Sequence, residues 1–336
     1  MNLIACIEPG KLKCLDVSKP DCLPGYSLIR VKRVGICGTD IHAFEGNQPY
    51  FSYPRVLGHE LAGEFVSGDT PGLRKGDVVT MIPYQHCNTC VACRGGYTNC
   101  CQHMNVIGVH SDGGMAEFLQ VPSHLLLSAE GLDLNQVALV EPFAIAAHAV
   151  RRAGITPADN VLVIGVGPIG LAIIEMATIA GAKVMAIDIN ENRMGWAKHV
   201  AGAKEVFDGK AVNLEEQIRE ATNGDMPTVV LDATGNRNAI NDAFRFMAHS
   251  GRFILVGIQK GMIEFNHPEF HKREGTLMSS RNATREDFEH VLECIRMGRI
   301  SPENYITHFI HFDELVDQFP HLVNEPGLVK AIVRLD

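Results

Sequence analysis

No run in this 336-residue chain approaches the roughly 20 apolar residues that a membrane-spanning helix needs. The opening MNLIACIEPGK has no basic segment followed by a long apolar stretch, so no secretory leader is expected and the cytoplasm is the expected location. Surplus positive charge is missing as well. Thirty Lys and Arg against 39 Asp and Glu give a formal net charge of −9, which argues against nucleic acid or an anionic membrane as partner. There is no internal repeat and no low-complexity segment. What remains is an ordinary globular composition, 46% apolar, over a length that is large for one core and suggests two domains.

Five of the ten cysteines fall in HCNTCVACRGGYTNCC, residues 86–101. Cys87, Cys90 and Cys93 are separated by two residues each, and Cys101 follows after seven more. Thiolates at this separation can close one tetrahedron of sulfur around zinc, leaving no open position for a substrate. A disulfide framework fits poorly without a secretory leader, because reducing compartments keep thiols free for metal. Spacing alone does not say whether Cys100 or Cys101 is the fourth sulfur.

A second set of ligand types is scattered. VGICGTDIHAF (34–44) holds Cys37, YPRVLGHELAGEF (53–65) holds His59 and Glu60, and VEPFAIAAHAV (140–150) places Glu141 in an apolar run. A buried carboxylate there is costly unless it meets a metal or another partner. Thiolate, imidazole and carboxylate with an exchangeable position make a catalytic zinc site. Singly, each residue has a plainer role: Cys37 as a small core residue, His59 in a turn, Glu141 as a helix-start carboxylate favoured by the dipole.

VLVIGVGPIGLAIIEMATIAGAKVMAIDIN, residues 161–190, reads as strand, tight turn, helix and strand. Gly165 and Gly167 let the backbone turn and approach a pyrophosphate, Pro168 suits a first helical turn, and Gly170 permits close helix–strand packing. Asp188, ending the second strand, can accept hydrogen bonds from the adenosine ribose and repel a 2′-phosphate. Further strands are readable at 228–232 and 252–256, which predicts an α/β fold with a doubly wound parallel sheet over about 145–280. The segment before it is β-rich, with many Gly and Pro, and the tail after residue 281 is expected to rejoin it.

Together these motifs resemble the zinc-dependent medium-chain alcohol dehydrogenases over nearly the whole chain. The resemblance is carried by CGTDIH, GHELAG, CNTCVACRGGYTNCC, Glu141-Pro142, GVGPIG and Asp188. It implies a GroES-like catalytic domain of residues 1–144 and 281–336, split around a Rossmann domain of residues 145–280. It implies two zinc ions per chain. Cys37, His59 and Glu141 match the catalytic zinc positions, with Glu60 a ligand or its neighbour; Cys87, Cys90, Cys93 and Cys101 match the structural zinc lobe, which selects Cys101. Ethanol-oxidising members carry cysteine at the position of Glu141, whereas polyol and threonine dehydrogenases carry glutamate. Within that branch, GNQPYFSYPRVLGHE, VIGVHSDGG, EPFAIAAHAVRRA and PEFHKREGTLMSSRNAT are most similar to dehydrogenases of hexonates.

The implied reaction transfers a hydride from a secondary hydroxyl of a sugar acid or polyol to NAD. Oxidation of L-threonine, or of sorbitol or L-iditol, is the enzymatic alternative, and a zinc-binding redox sensor the non-enzymatic one. Thr39 would accept the hydroxyl proton and pass it through ribose hydroxyls or His42 toward solvent, histidine suiting the outer end of a relay because its unperturbed pKa lies near neutrality. Asp40 would orient a metal-ligand histidine or cap a turn. Cofactor contacts are expected from Gly165, Gly167, Pro168, Ile169, Gly170, Asp188, Arg193, Val256 and Arg281. A sugar-acid carboxylate needs a cation, with Arg281 first and Lys272 and His271 behind it. The family resemblance implies a homodimer or homotetramer.

Overall fold

A computed structural model describes residues 1–48 and 51–336. Pro49 and Tyr50, inside the stretch GNQPYFSYPRVLGHE, lie outside the described residues. The chain divides into two compact units, Met1–Glu141 with Thr284–Asp336, and Pro142–Ala283.

The Pro142–Ala283 unit is built on a six-stranded sheet in the order Glu205–Asp208, Lys183–Asp188, Asn160–Ile164, Val229–Asp232, Arg252–Leu255, Thr276–Ser279. Every pairing in it is parallel. A parallel sheet with helical crossovers is covered on both faces, so its central strands need continuous apolar runs rather than alternation. VLV at 161–163 meets that demand and is wholly buried. The helix Pro168–Ile179 starts on Gly167, carries Pro168 in its first turn, and buries Leu171, Ile173 and Ile174. Each such side chain contributes about 1.5–3 kcal/mol of burial. Helix Leu214–Ala221 is amphipathic instead: Leu214 and Ile218, one turn apart, are buried, and Glu215 and Glu216 favour its N-terminal end. The doubly wound parallel sheet expected from the sequence is borne out.

The other unit is β-rich. Its main sheet runs Leu126–Ser128, Val78–Met81, Glu60–Gly68, Tyr26–Ile36, Lys330–Arg334, Ile306–His311, with Phe118–Pro122 also paired to Tyr26–Ile36. The eleven-residue strand Tyr26–Ile36 is the spine, joined antiparallel to Glu60–Gly68, Phe118–Pro122 and Lys330–Arg334. Smaller pieces are a three-stranded sheet of Lys11–Asp16, Asn2–Glu8 and Arg55–Val56, and a ribbon pairing Tyr84–Gln85 with Asn105–Val106. Among the described residues, no helix is long and apolar enough to cross a membrane.

Candidate metal and dinucleotide sites

The spine strand delivers Cys37 directly after its last residue, where Cys37 caps the helix Gly38–Phe44. Glu60 opens the neighbouring strand, in register with Gly35. That glycine is required, because a Cβ on it would stand 2.0 Å from Glu60 Oε2. The ligand atoms of Cys37, His59 and Glu60 lie within 4.8 Å of one another. Asp40 ties the two ligand segments together: it accepts the backbone N–H of Cys37 at 2.9 Å and that of Gly58 at 3.2 Å. Its Oδ1 is 3.8 Å from His59 Nδ1, beyond hydrogen-bond reach. Asp40 therefore orients the ligand backbone as a helix cap, with the His59 imidazole beside it.

The electrostatics call for a cation. Lys330 is buried, with Nζ 2.7 Å from Glu60 Oε1 and 2.6 Å from Oε2, and it also donates to the Ile36 carbonyl. Against it stand the Cys37 thiol and the buried carboxyls of Asp40, Glu60 and Glu141. Burial pushes the Glu141 carboxyl up to about 7, with the nearby Glu60 adding to the rise and His59, Tyr84 and Lys330 opposing it. Burial pulls His59 down, but the negative charge of Cys37 and Asp40 outweighs it and holds the imidazole well above its ordinary value. His59 Nδ1 and Glu141 Oε2 are buried without a hydrogen-bond partner. An orphaned buried acceptor is costly, and a cation reached by Glu141 Oε2 would satisfy it, while His59 Nδ1 faces Asp40 Oδ1 at 3.8 Å. Cys37, His59 and Glu60 thus fit zinc by ligand chemistry, while Glu141, buried nearby, lies outside that group of ligand atoms.

The cysteine lobe is a closed set. The sulfurs of Cys87, Cys90, Cys93 and Cys101 lie within 4.8 Å of one another, all as free thiols. Cys100 is exposed and lies outside the set. Backbone N–H groups of Cys87 and His103 point at Cys101 Sγ, each at 3.3 Å. Hydrogen bonds from the Thr89 hydroxyl, then from backbone N–H groups, pull the Cys87 thiol down to about 5. A thiolate ready for metal at neutral pH results.

In the other unit, Gly165 has φ +84°, and a Cβ on it would strike Thr234 Cγ2 at 2.5 Å. A Cβ on Gly170 would come 1.9 Å from the Gly165 carbonyl oxygen, so helix and strand meet through this residue. At Gly167 nothing lies within 4 Å of an added Cβ. Open space at a helix N-terminus is what an approaching pyrophosphate needs, and the residues fit a dinucleotide. Asp188 accepts Val166 N–H on Oδ2 at 2.7 Å, and Ile189 and Asn190 N–H on Oδ1 at 2.7 and 2.9 Å. A carboxylate has about four acceptor positions, so one remains for a ribose hydroxyl while one holds the glycine turn and two hold the chain just after Asp188. Pro168 and Ile169 form the first helical turn, Arg193 is half-buried on helix Glu191–His199, and Val256 and Arg281 follow the carboxyl ends of their strands.

His271 and Lys272 do not join them. They precede the strand Thr276–Ser279, and their segment pairs with the amino end of Arg252–Leu255: Ser250 N–H reaches the Arg273 carbonyl at 2.6 Å, and Thr276 N–H reaches that of Gly251 at 2.9 Å. Ligands of such sheets bind at the carboxyl ends of the strands. The two cations are at the opposite edge of this sheet, with Lys272 near Glu269. Two residues of the metal region were missed in the sequence, Lys330 and Tyr84. A single lysine heading the apolar strand KAIVR was a usable signal for the first; nothing local marks the second.

A chain with a parallel dinucleotide-type sheet, a split β-rich unit and two zinc-compatible clusters belongs to the zinc-type alcohol dehydrogenases, oxidoreductases acting on CH–OH groups. The Alcohol dehydrogenase GroES-like domain profile matches residues 23–131, and the Zinc-binding dehydrogenase profile matches residues 168–296. Among its relatives is the L-galactonate-5-dehydrogenase of Escherichia coli K12, 44% identical over 99% of this chain and 98% of that protein. A sorbitol dehydrogenase of Halalkalibacterium halodurans is 31% identical, over 94% of each chain. The crystal structure of an alcohol dehydrogenase (rspB) from E. coli CFT073, complexed with NADH, superposes with a TM-score of 0.92 at 29% identity, covering 100% of this chain and 99% of that one.

Proposed function

We propose that this protein oxidises a secondary hydroxyl of a sugar acid, a hexonate such as L-galactonate, to the keto acid with NAD as acceptor. The observation that carries this reading is the cluster of Cys37, His59 and Glu60, with the buried Glu141 rather than a cysteine at position 141, in a chain 44% identical to an L-galactonate-5-dehydrogenase. When bound, zinc supplies the charge that polarises the substrate hydroxyl, and the nicotinamide supplies the hydride acceptor. Cys37, His59 and Glu141 hold the catalytic metal, Glu60 standing beside them in the grip of Lys330. Cys87, Cys90, Cys93 and Cys101 hold the second ion.

Thr39, half-buried in the first turn after Cys37, accepts the hydroxyl proton on Oγ1 while giving its own hydroxyl proton onward, so that no charge rests on it. His42, one turn along the same helix face and 63% exposed, returns that proton to solvent. The Asp188 carboxylate favours NAD over NADP, because a 2′-phosphate beside it would face like charge. Arg281 is the cation assigned to the substrate carboxylate. The protein works in the cytoplasm as a homodimer or homotetramer. A panel of hexonates, hexitols and L-threonine, each with NAD and NADP, tests the reading: turnover is expected on a hexonate with NAD. L-threonine as the best substrate would overturn it. Arg281→Ala should depress kcat/KM on acids far more than on neutral polyols, and equal losses would remove its carboxylate role.

A further inference from the structure

We propose that Tyr84 is the positioning residue that presents one oxygen of Glu141 to the catalytic metal. The inference rests on the assignment of Glu141 as a ligand and adds the residue that orients it. Besides Asp40, two buried glutamates stand near His59, and they are held differently. Both oxygens of Glu60 are occupied by the Lys330 ammonium, at 2.7 and 2.6 Å. Glu141 has only one occupied: the Tyr84 phenol donates to Oε1, and Oε2 is buried with no partner. A glutamate carboxyl is close to two-fold symmetric about its last torsion, so nothing in Glu141 itself distinguishes its two oxygens. The phenol does.

Tyr84 is well placed to hold a fixed position. It is 3% exposed, and its ring meets Phe288 edge-on at 6.2 Å between centroids. Its backbone belongs to the ribbon in which Tyr84 faces Val106. That ribbon is the stem of the cysteine lobe, leaving Tyr84 three residues before Cys87 and Val106 five after Cys101. The Cys87 N–H contact to Cys101 Sγ, at 3.3 Å, closes the loop immediately above it. The phenol is therefore anchored by a structure independent of helix Val140–Ala153, which carries Glu141. Groups hydrogen-bonded to a ligand carboxylate fix its orientation, and losing them costs metal affinity.

The test is Tyr84→Phe, which keeps the ring and removes only the hydroxyl. Cobalt(II) is loaded into the protein, and two readouts are taken without any substrate: the visible ligand-field spectrum, and the rate of metal release to a chromogenic chelator. The cysteine lobe's own release serves as internal reference. The expected result is an altered catalytic-site spectrum and release from that site faster by about 10–100-fold, with lobe release unchanged. In a Glu141→Ala background, which leaves the phenol no acceptor at that position, Tyr84→Phe should add nothing, because its effect passes through that carboxylate. Phe288→Leu, which keeps the phenol but loosens its ring, should quicken release in the same direction and only where Glu141 is present. Wild-type spectrum and release in Tyr84→Phe, or equal acceleration with and without Glu141, would overturn the proposal. Neither readout depends on which alcohol is oxidised, so a failed substrate panel and a failed Tyr84 test are separate results.

Discussion

Replacing Lys330 by methionine keeps a long flexible side chain of similar reach and deletes one charge. The ammonium is 4% exposed and Glu60 1%, so the carboxylate left behind can take no water without opening the sheet. Gly35 closes the other side, since there is no space there even for a methyl group beside Glu60 Oε2. Removing one partner of a buried ion pair costs about 3–5 kcal/mol. In a unit of 150–250 residues each kcal/mol is worth about 2–4 °C, so Tm should fall by about 6–20 °C. A bound cation beside Glu60 takes up part of the stranded charge, so wild type, Lys330→Met and the double variant Lys330→Met/Glu60→Gln are compared at one fixed zinc concentration. Urea and thermal unfolding are followed by circular dichroism. The double variant should regain most of the loss, because the cost is the stranded charge and not the missing contact. A single variant within about 1 kcal/mol of wild type, or a double variant no better than the single, would refute the account of Glu60 as a carboxylate dependent on this one ammonium.

Three other outcomes follow from distances already given. Gly170→Ala puts a methyl group into the Gly165 backbone carbonyl and should destabilise its unit by about 1–3 kcal/mol, whereas Gly167→Ala should unfold like wild type yet bind NADH more weakly in titration calorimetry. Cys101→Ser should lower zinc content by one ion per chain as measured by atomic absorption, while Cys100→Ser, outside the set of four sulfurs, should keep both. Asp159 is pushed up by burial but pulled further down by hydrogen bonds from Thr228, Thr156 and Arg252, leaving its carboxyl below the ordinary 3.8. Its stabilisation is thus present above pH 3.8 and disappears as the pH falls through the lowered value; Asp159→Asn should cost about 1.5–3 kcal/mol at pH 7, with a gap to wild type that closes in acid.

What the sequence made legible was local. The glycine turn, the acid at 188 and the sulfur spacing each encode their geometry within about 30 residues, and the covalent chain enforces it. What it hid was non-local. Glu60 and Lys330 are 270 residues apart, and Tyr84 and Glu141 are 57 apart, joined only through sheet pairing and helix placement. The sheet edge at which His271 and Lys272 lie was hidden for the same reason. A cation's sign and its distance along the chain from Arg281 do not tell which end of a parallel sheet it occupies. Strand direction does, because Thr276–Ser279 intervenes and carries the chain from one edge to the other. Asp40 shows a subtler limit, since an acid next to metal ligands can orient them through the backbone as well as through the imidazole.

The sequence distance between Glu60 and Lys330 also sets an order of events in synthesis. At about 5–20 residues per second, the lysine emerges some 15–50 s after the glutamate it neutralises. For that interval the spine strand has its partner Glu60–Gly68 on one side and bare hydrogen-bonding groups along 33–36 on the other. The acidic pocket is then at its most negative and its edge is unpaired. The nascent chain is best placed to capture a stray metal, or another strand, before it is finished.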